Sequence, residues 1–124
     1  MDEAVIMRLG RLILYVRDVE ATISFYQSHF DYKAERRDGD RIVELVAPDC
    51  GVNLMVHPAG RAQKMGQVLV KLVFDVRDVD AFCVASRAKG LEFGSIHQAD
   101  GYQFANARDP SGNSISVSSR TFRK

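Results

Sequence analysis

The sequence predicts an α+β protein built from two tandem β-α-β-β-β modules, and three observations carry that prediction. Residues 11–21 (RLILYVRDVEA) are echoed by residues 71–81 (KLVFDVRDVDA) at an offset of 60, with Val-Arg-Asp-Val identical in both copies and flanking positions similar in character. A repeat of this length means that one supersecondary unit is used twice. Two turn markers keep the same step, Gly39 with Gly101 and Pro48 with Pro110, both 62 residues apart. Within each copy the apolar pattern changes from strand-like to helix-like and back to strand-like.

In the first module, Leu9 to Val16 is short and rich in large apolar residues and reads as a strand. Asp18 offers an N-cap, with Glu20 in the first turn where the helix dipole favours a carboxylate. Val19, Ile23, Phe25 and Tyr26 then follow at helical spacing, and the helix is expected to end near Phe30. Asp31 to Arg36 reads as a short strand, Asp38-Gly39 as a hairpin signal, and Arg41 to Val46 as the next strand. Pro48 to Gly51 turns the chain into the last strand, Val52 to His57. A linker over 58–67, with Pro58, Gly60 and Gly66, leads to the second module.

The second module repeats the plan. Val68 to Val76 reads as a strand, Asp78 as a cap, and Val79 to Lys89 as a helix closed by Gly90 at its C′ position. Leu91 to Ile96 reads as a strand, Asp100-Gly101 as a turn, and Tyr102 to Ala107 as a strand. Asp109-Pro110-Ser111-Gly112 has the residue order of a type I turn, and Ser114 to Ser118 closes the unit. One domain spans 1–124, with module one over about 8–57 and module two over about 68–119.

Composition narrows the function classes. The chain is 46% hydrophobic and 27% charged with a formal net charge of +1, so neither nucleic acid nor an anionic membrane is an expected partner. Cys50 and Cys83 have no metal-binding or disulfide-framework spacing, and Met1-Asp2-Glu3-Ala4 opens no apolar targeting run. A cytoplasmic protein is the expectation.

The combination of Tyr15-Val16-Arg17-Asp18, Phe25-Tyr26, Phe74-Asp75-Val76-Arg77-Asp78-Val79 and Arg108-Asp109-Pro110-Ser111-Gly112-Asn113 resembles the vicinal oxygen chelate superfamily. That family includes glyoxalase I, extradiol dioxygenases, fosfomycin-resistance enzymes and bleomycin-resistance proteins. The resemblance implies that the tandem modules form a cup-shaped mixed sheet with helices outside. Strand alternation then puts Leu12, Leu14, Val16, Leu72, Phe74 and Val76 towards the helices. Val52, Leu54, Val56, Ile115 and Val117 join them. Arg11, Ile13, Tyr15, Asn53, Met55, His57, Lys71, Val73, Asp75, Ser114 and Ser116 face the cup.

Metal-dependent members of the family place a His or Gln at the start of each module's first strand and a carboxylate on each last strand. These positions map to Arg11, Lys71, Ser116 and either Asn53 or Met55. Arg and charged Lys have no lone pair to offer, and Ser and Asn are weak neutral donors, so no metal and no other cofactor is expected. His57, His97 and Glu44 read instead as a rim residue, a hairpin-loop residue and a solvent-facing residue.

In place of a metal, the resemblance brings Arg11 and Lys71 to equivalent places in the cup. A small anionic molecule is the expected ligand, held by Arg11 as a fork and Lys71 as a point charge. Tyr15, Asn53, His57 and Ser116 would supply hydrogen bonds, and Asp75 shares the face. The competing reading is that Asp75 or Glu44 neutralises the two cations. No catalytic residue is assigned. Three functions follow from the resemblance: a metal-free small-molecule-binding protein, a glyoxalase-like metal-dependent lyase or isomerase, and an accessory domain with a vestigial cup. The first is preferred, and an enzymatic role is not favoured because no general base near a metal position is visible. Members of the family pair as homodimers, and a homodimer is expected here.

Overall fold

The computed structural model describes residues 9–67 and 70–124. Among them the chain forms β1 (Arg11–Val16), α1 (Val19–Phe30), β2 (Lys33–Glu35), β3 (Val43–Val46), β4 (Asn53–Pro58), β5 (Lys71–Asp75), α2 (Val79–Ala88), β6 (His97–Gln98), β7 (Gln103–Arg108) and β8 (Ser114–Ser118). Two four-stranded mixed sheets result, ordered β1-β4-β3-β2 and β5-β8-β7-β6. In each, the first strand runs parallel to the last and the remaining pairs are antiparallel. The sheets stay open and do not close into a barrel. Among the described residues, no helix is long and apolar enough to cross a membrane.

The repeated Asp explains the repeated helix start. Asp18 Oδ1 accepts from Ala21 N at 3.0 Å, and Asp78 Oδ1 accepts from Ala81 N at 2.9 Å. Each carboxylate thus satisfies one backbone donor that a helix start leaves over. The helix ends differ. Gly90, at φ 90°, closes α2 with paired bonds from Leu91 N to Ser86 O and from Gly90 N to Arg87 O, whereas Asp31 takes the left-handed place after α1 at φ 59°.

The core is one apolar cluster shared by both modules. Val16, Tyr26, Leu45, Val56, Ala105, Ile115 and Val117 have no exposed surface. From α1, Phe30 stacks on Phe74 of β5 with ring centroids 3.9 Å apart and reaches Phe82 of α2 at 5.9 Å. Tyr26 donates its buried hydroxyl to Asp109 Oδ2 at 2.8 Å, joining α1 to the turn before β8. Burial of the aromatic rings and this hydrogen bond therefore hold the two sheets in one body.

Three expected features differ. The expected strand Leu91–Ile96 is extended but unpaired, apart from Gly94 N donating to Asn106 O at 2.9 Å. Its period-two pattern comes from Leu91 and Phe93 plugging into the core, while the short pairing with β7 falls on His97 and Gln98, expected in a loop. Val52, expected in the core, precedes β4 and is 38% exposed. The start of the expected strand Val68–Val76, at residues 68 and 69, lies outside the described residues.

Candidate ligand site

Strand register brings the chemistry-bearing side chains to the face away from the helices. On the first sheet Arg11, Ile13 and Tyr15 stand beside Asn53, Met55 and His57, and Met55 stands beside Glu44. On the second, Lys71, Val73 and Asp75 stand beside Ser114, Ser116 and Ser118, which face Arg108, Asn106 and Phe104 in turn. Ile13 pairs with Met55 as Val73 pairs with Ser116, so of the two alternatives Met55 is the counterpart of Ser116.

Most polar groups on these faces already have protein partners. Arg11 Nη2 lies 3.2 Å from Glu44 Oε2. Asn53 Nδ2 donates to the same oxygen at 3.0 Å, while Asn53 Oδ1 accepts from Ala47 N at 2.9 Å. Glu44 therefore neutralises Arg11. Arg11 in turn offsets the repulsion between Glu44 and Glu35, its direct cross-strand neighbour. Ser116 is 2% exposed and turns its hydroxyl back to Ala105 O at 3.0 Å. His57 Nδ1 lies 2.7 Å from Pro58 O, and its ring sits 5.2 Å from that of Tyr15.

Lys71 differs from Arg11. Its Nζ donates to the neutral Asn106 Oδ1 at 3.0 Å, and among the described residues it forms no ion pair. Asp75 does not reach it. Four residues along one strand is roughly 13 Å, beyond the span of the two side chains. Across β8, Arg108 stands on the same face, its Nη1 donating to Gly112 O at 2.7 Å. Two cations thus flank Ser114 over a recess of about 380 Å³.

Ser114 also borders a second space. A cavity of about 210 Å³ lies between β1 and the second module, walled by Leu12, Ile13, Leu14 and Tyr15 on one side and by Val70, Leu72 and Ser114 on the other. Residues 63–66 of the linker cross it. On the far side of Leu12 and Leu72, a more open groove of about 520 Å³ runs along β5 to Phe82. Among the described residues, no group of three or more His, Cys, Asp and Glu side chains lies close enough to hold a metal ion.

Strand alternation made the cup-facing places of Arg11, Lys71 and Ser114 readable from the sequence. The roles of Asn106, Arg108 and the linker were not, because they depend on cross-strand register and on an irregular segment.

A protein of this kind, with paired β-α-β-β-β units, open concave sheets and an apolar cavity between them, is the class that the fold and the site define. Residues 8–117 match the family model of the Glyoxalase/Bleomycin resistance protein/Dioxygenase superfamily, and the chain belongs to that superfamily. Among solved structures it is similar to TnmS3, an antibiotic binding protein from Streptomyces sp. CB03234, with a TM-score of 0.75, 18% identity, and coverage of 93% of this chain and 97% of that one. A lactoylglutathione lyase from Agrobacterium tumefaciens aligns with a TM-score of 0.67 and 20% identity over 90% of this chain and 92% of that one. A virulence protein from Salmonella typhimurium aligns with a TM-score of 0.70 and 20% identity over 93% and 98%. No curated protein matches the sequence.

Proposed function

We propose that the protein binds a small anionic molecule in its cup without a metal, the anionic group resting on Lys71 and Ser114 beside Arg108. The observation that carries this reading is the pair of cations flanking Ser114 next to an apolar cavity, with no carboxylate paired to Lys71 among the described residues. An anion there would gain charge-assisted hydrogen bonds that the neutral Asn106 amide cannot match. Of the earlier candidate set, Tyr15 lines the cavity, and His57 stands behind it with ring centroids 5.2 Å apart. The Glu44 contact argues that Arg11 and Asn53 shape the first sheet, with Arg11 not taking the ligand's charge.

The donor set supports a metal-free reading. At the positions where metal-dependent relatives would hold ligands, Arg11 and Lys71 offer no lone pair, Met55 offers a soft thioether, and the Ser116 hydroxyl is committed to the backbone. These groups do not suit a divalent ion, and no chemical step is assigned to one. The likeness to TnmS3, an antibiotic binding protein, supports a binding role. β1 and β5 each end their sheet. Their free edges favour a homodimer, which would also cover Val73, more than half exposed. Two free cysteines accord with a reducing, cytoplasmic setting.

The test is calorimetric titration of small carboxylates and phosphate esters into wild type and Lys71→Ala, with bound metal measured in the same samples. Binding that weakens about tenfold or more in Lys71→Ala, in protein without stoichiometric metal, is the expected result. Binding that is unchanged in Lys71→Ala, or that requires added metal, contradicts the proposal. Sedimentation of the purified protein checks the dimer.

A further inference from the structure

The two arginines of the repeated Val-Arg-Asp-Val have equivalent tasks with unequal consequences. Arg17 reaches over the linker that follows β4 and donates to three of its carbonyls, Gly60 O at 3.0 Å, Gln63 O at 2.6 Å and Arg61 O at 3.5 Å. Arg77 reaches over the segment that follows β8, its guanidinium 4.1 Å above the Phe122 ring. Each arginine thus clamps the chain where it leaves its module. A cavity lies beside the segment that Arg17 holds.

A second fixing point lies downstream. Gly66 and Gly112 both have positive φ, 75° and 84°, and a Cβ added to Gly112 would come within 3.4 Å of Gly66 Cα. The linker rests on the turn before β8 at a contact where both residues are glycine. Residues 63–66, held at both ends, therefore form a strap across the cavity of about 210 Å³. Met65 and Lys64 of the strap line it, opposite Leu12, Ile13 and Leu72. An apolar cavity of about 150 Å³ takes one benzene molecule. This one has room for a single ring with a small substituent.

We propose that the strapped cavity receives the ring of a small aromatic carboxylate. The carboxylate lies at Ser114, where the cavity meets the recess holding Lys71 and Arg108, with Lys64 of the strap as a third cation on the cavity side. Arg17 is a positioning residue that sets the strap and so the size of ring admitted. This inference rests on the anionic-ligand reading above and adds the chemical class of the ligand's remainder.

The experiment is calorimetric titration with 4-methylbenzoate, its neutral counterpart 4-methylbenzamide, and acetate. Wild type, Arg17→Ala, Arg77→Ala and Ile13→Trp are compared, the last filling the cavity from a side chain that is 46% exposed. The expected result is 4-methylbenzoate binding about tenfold or more tighter than either comparison compound, ring burial separating it from acetate and the charge-assisted bonds of its carboxylate separating it from the amide. Arg17→Ala weakens it by about fivefold or more, Arg77→Ala leaves it within about twofold, and Ile13→Trp abolishes it. Equal binding of acetate and 4-methylbenzoate overturns the ring-binding cavity while leaving the anion site standing. Equal binding of 4-methylbenzamide overturns the carboxylate grip and with it the anionic reading. Absence of binding by all three overturns the inference alone, the wider panel of carboxylates and phosphate esters deciding the reading beneath it. Equal effects of Arg17→Ala and Arg77→Ala overturn the role of the strap.

Discussion

The duplication shows what a single position has to do, because the two copies sometimes meet one geometric demand with different residues. Gly112 takes a left-handed backbone at φ 84° in the turn before β8, and Cys50 takes it at φ 60° in the corresponding turn before β4. A side chain in that region costs about 1 kcal/mol, which glycine avoids. Cys50→Gly is therefore expected to raise stability by roughly 0.5–1 kcal/mol in denaturant titration. A loss of stability would show that the exposed Cys50 side chain has a structural partner. His29, half-buried in the last turn of α1, carries a different demand. Burial, and then the nearby Lys89 charge, hold its pKa below the ordinary 6.5. The folded state then favours neutral imidazole, so its contribution is whole above the ordinary value and is lost as pH falls through the lowered one. Wild type should lose stability below about pH 6.5, and His29→Gln should lose less over the same window. Parallel pH profiles for the two proteins would remove His29 from the account.

At the scale of elements, α1 does the joining. Its inner face puts Tyr26 and Phe30 against the second module, and the Tyr26 hydroxyl is one of four donors converging on Asp109, with Ser111 N, Asn113 N and Asn113 Nδ2. Tyr26→Phe keeps the ring and leaves that carboxylate one bond short, an expected loss of about 1.5–3 kcal/mol in chemical denaturation. A loss under about 0.5 kcal/mol would mean that the turn before β8 is held by its own three bonds. The helix, its cap and its apolar spacing were legible in the sequence, because Asp18, Ile23 and Tyr26 act through local geometry. The aromatic contact with Phe74 was not, since helical periodicity says which face is buried and not what covers it. The expected strand Leu91–Ile96 failed for a related reason: alternation records an extended chain with one side buried, and only pairing makes it a strand. The same limit applied to Asp75, which shares a face with Lys71 and stands roughly 13 Å along the strand from it.

At the scale of the molecule, the repeat places Arg11 and Lys71 at equivalent points on two open sheets, and the surroundings of those points make them different. Arg11 is absorbed by Glu44, which also accepts from Asn53, while Lys71 faces a neutral amide, a serine and Arg108 beside an apolar cavity. The pseudo-symmetry that the sequence displays is thus broken in charge, and the ligand proposed above belongs to the second module's side of the cup. The measurement that tests this most directly is thermal melting of the purified protein against a panel of small anionic molecules, with and without a chelator, in wild type and Lys71→Ala. A ligand at a hundred times its Kd adds about 2.7 kcal/mol, a shift of roughly 10 °C for a domain of this size. The account predicts such a shift for at least one anionic compound, unchanged by chelator and cut by about half or more in Lys71→Ala. Melting temperatures that stay flat across the panel, or that rise only when metal is supplied, would contradict it.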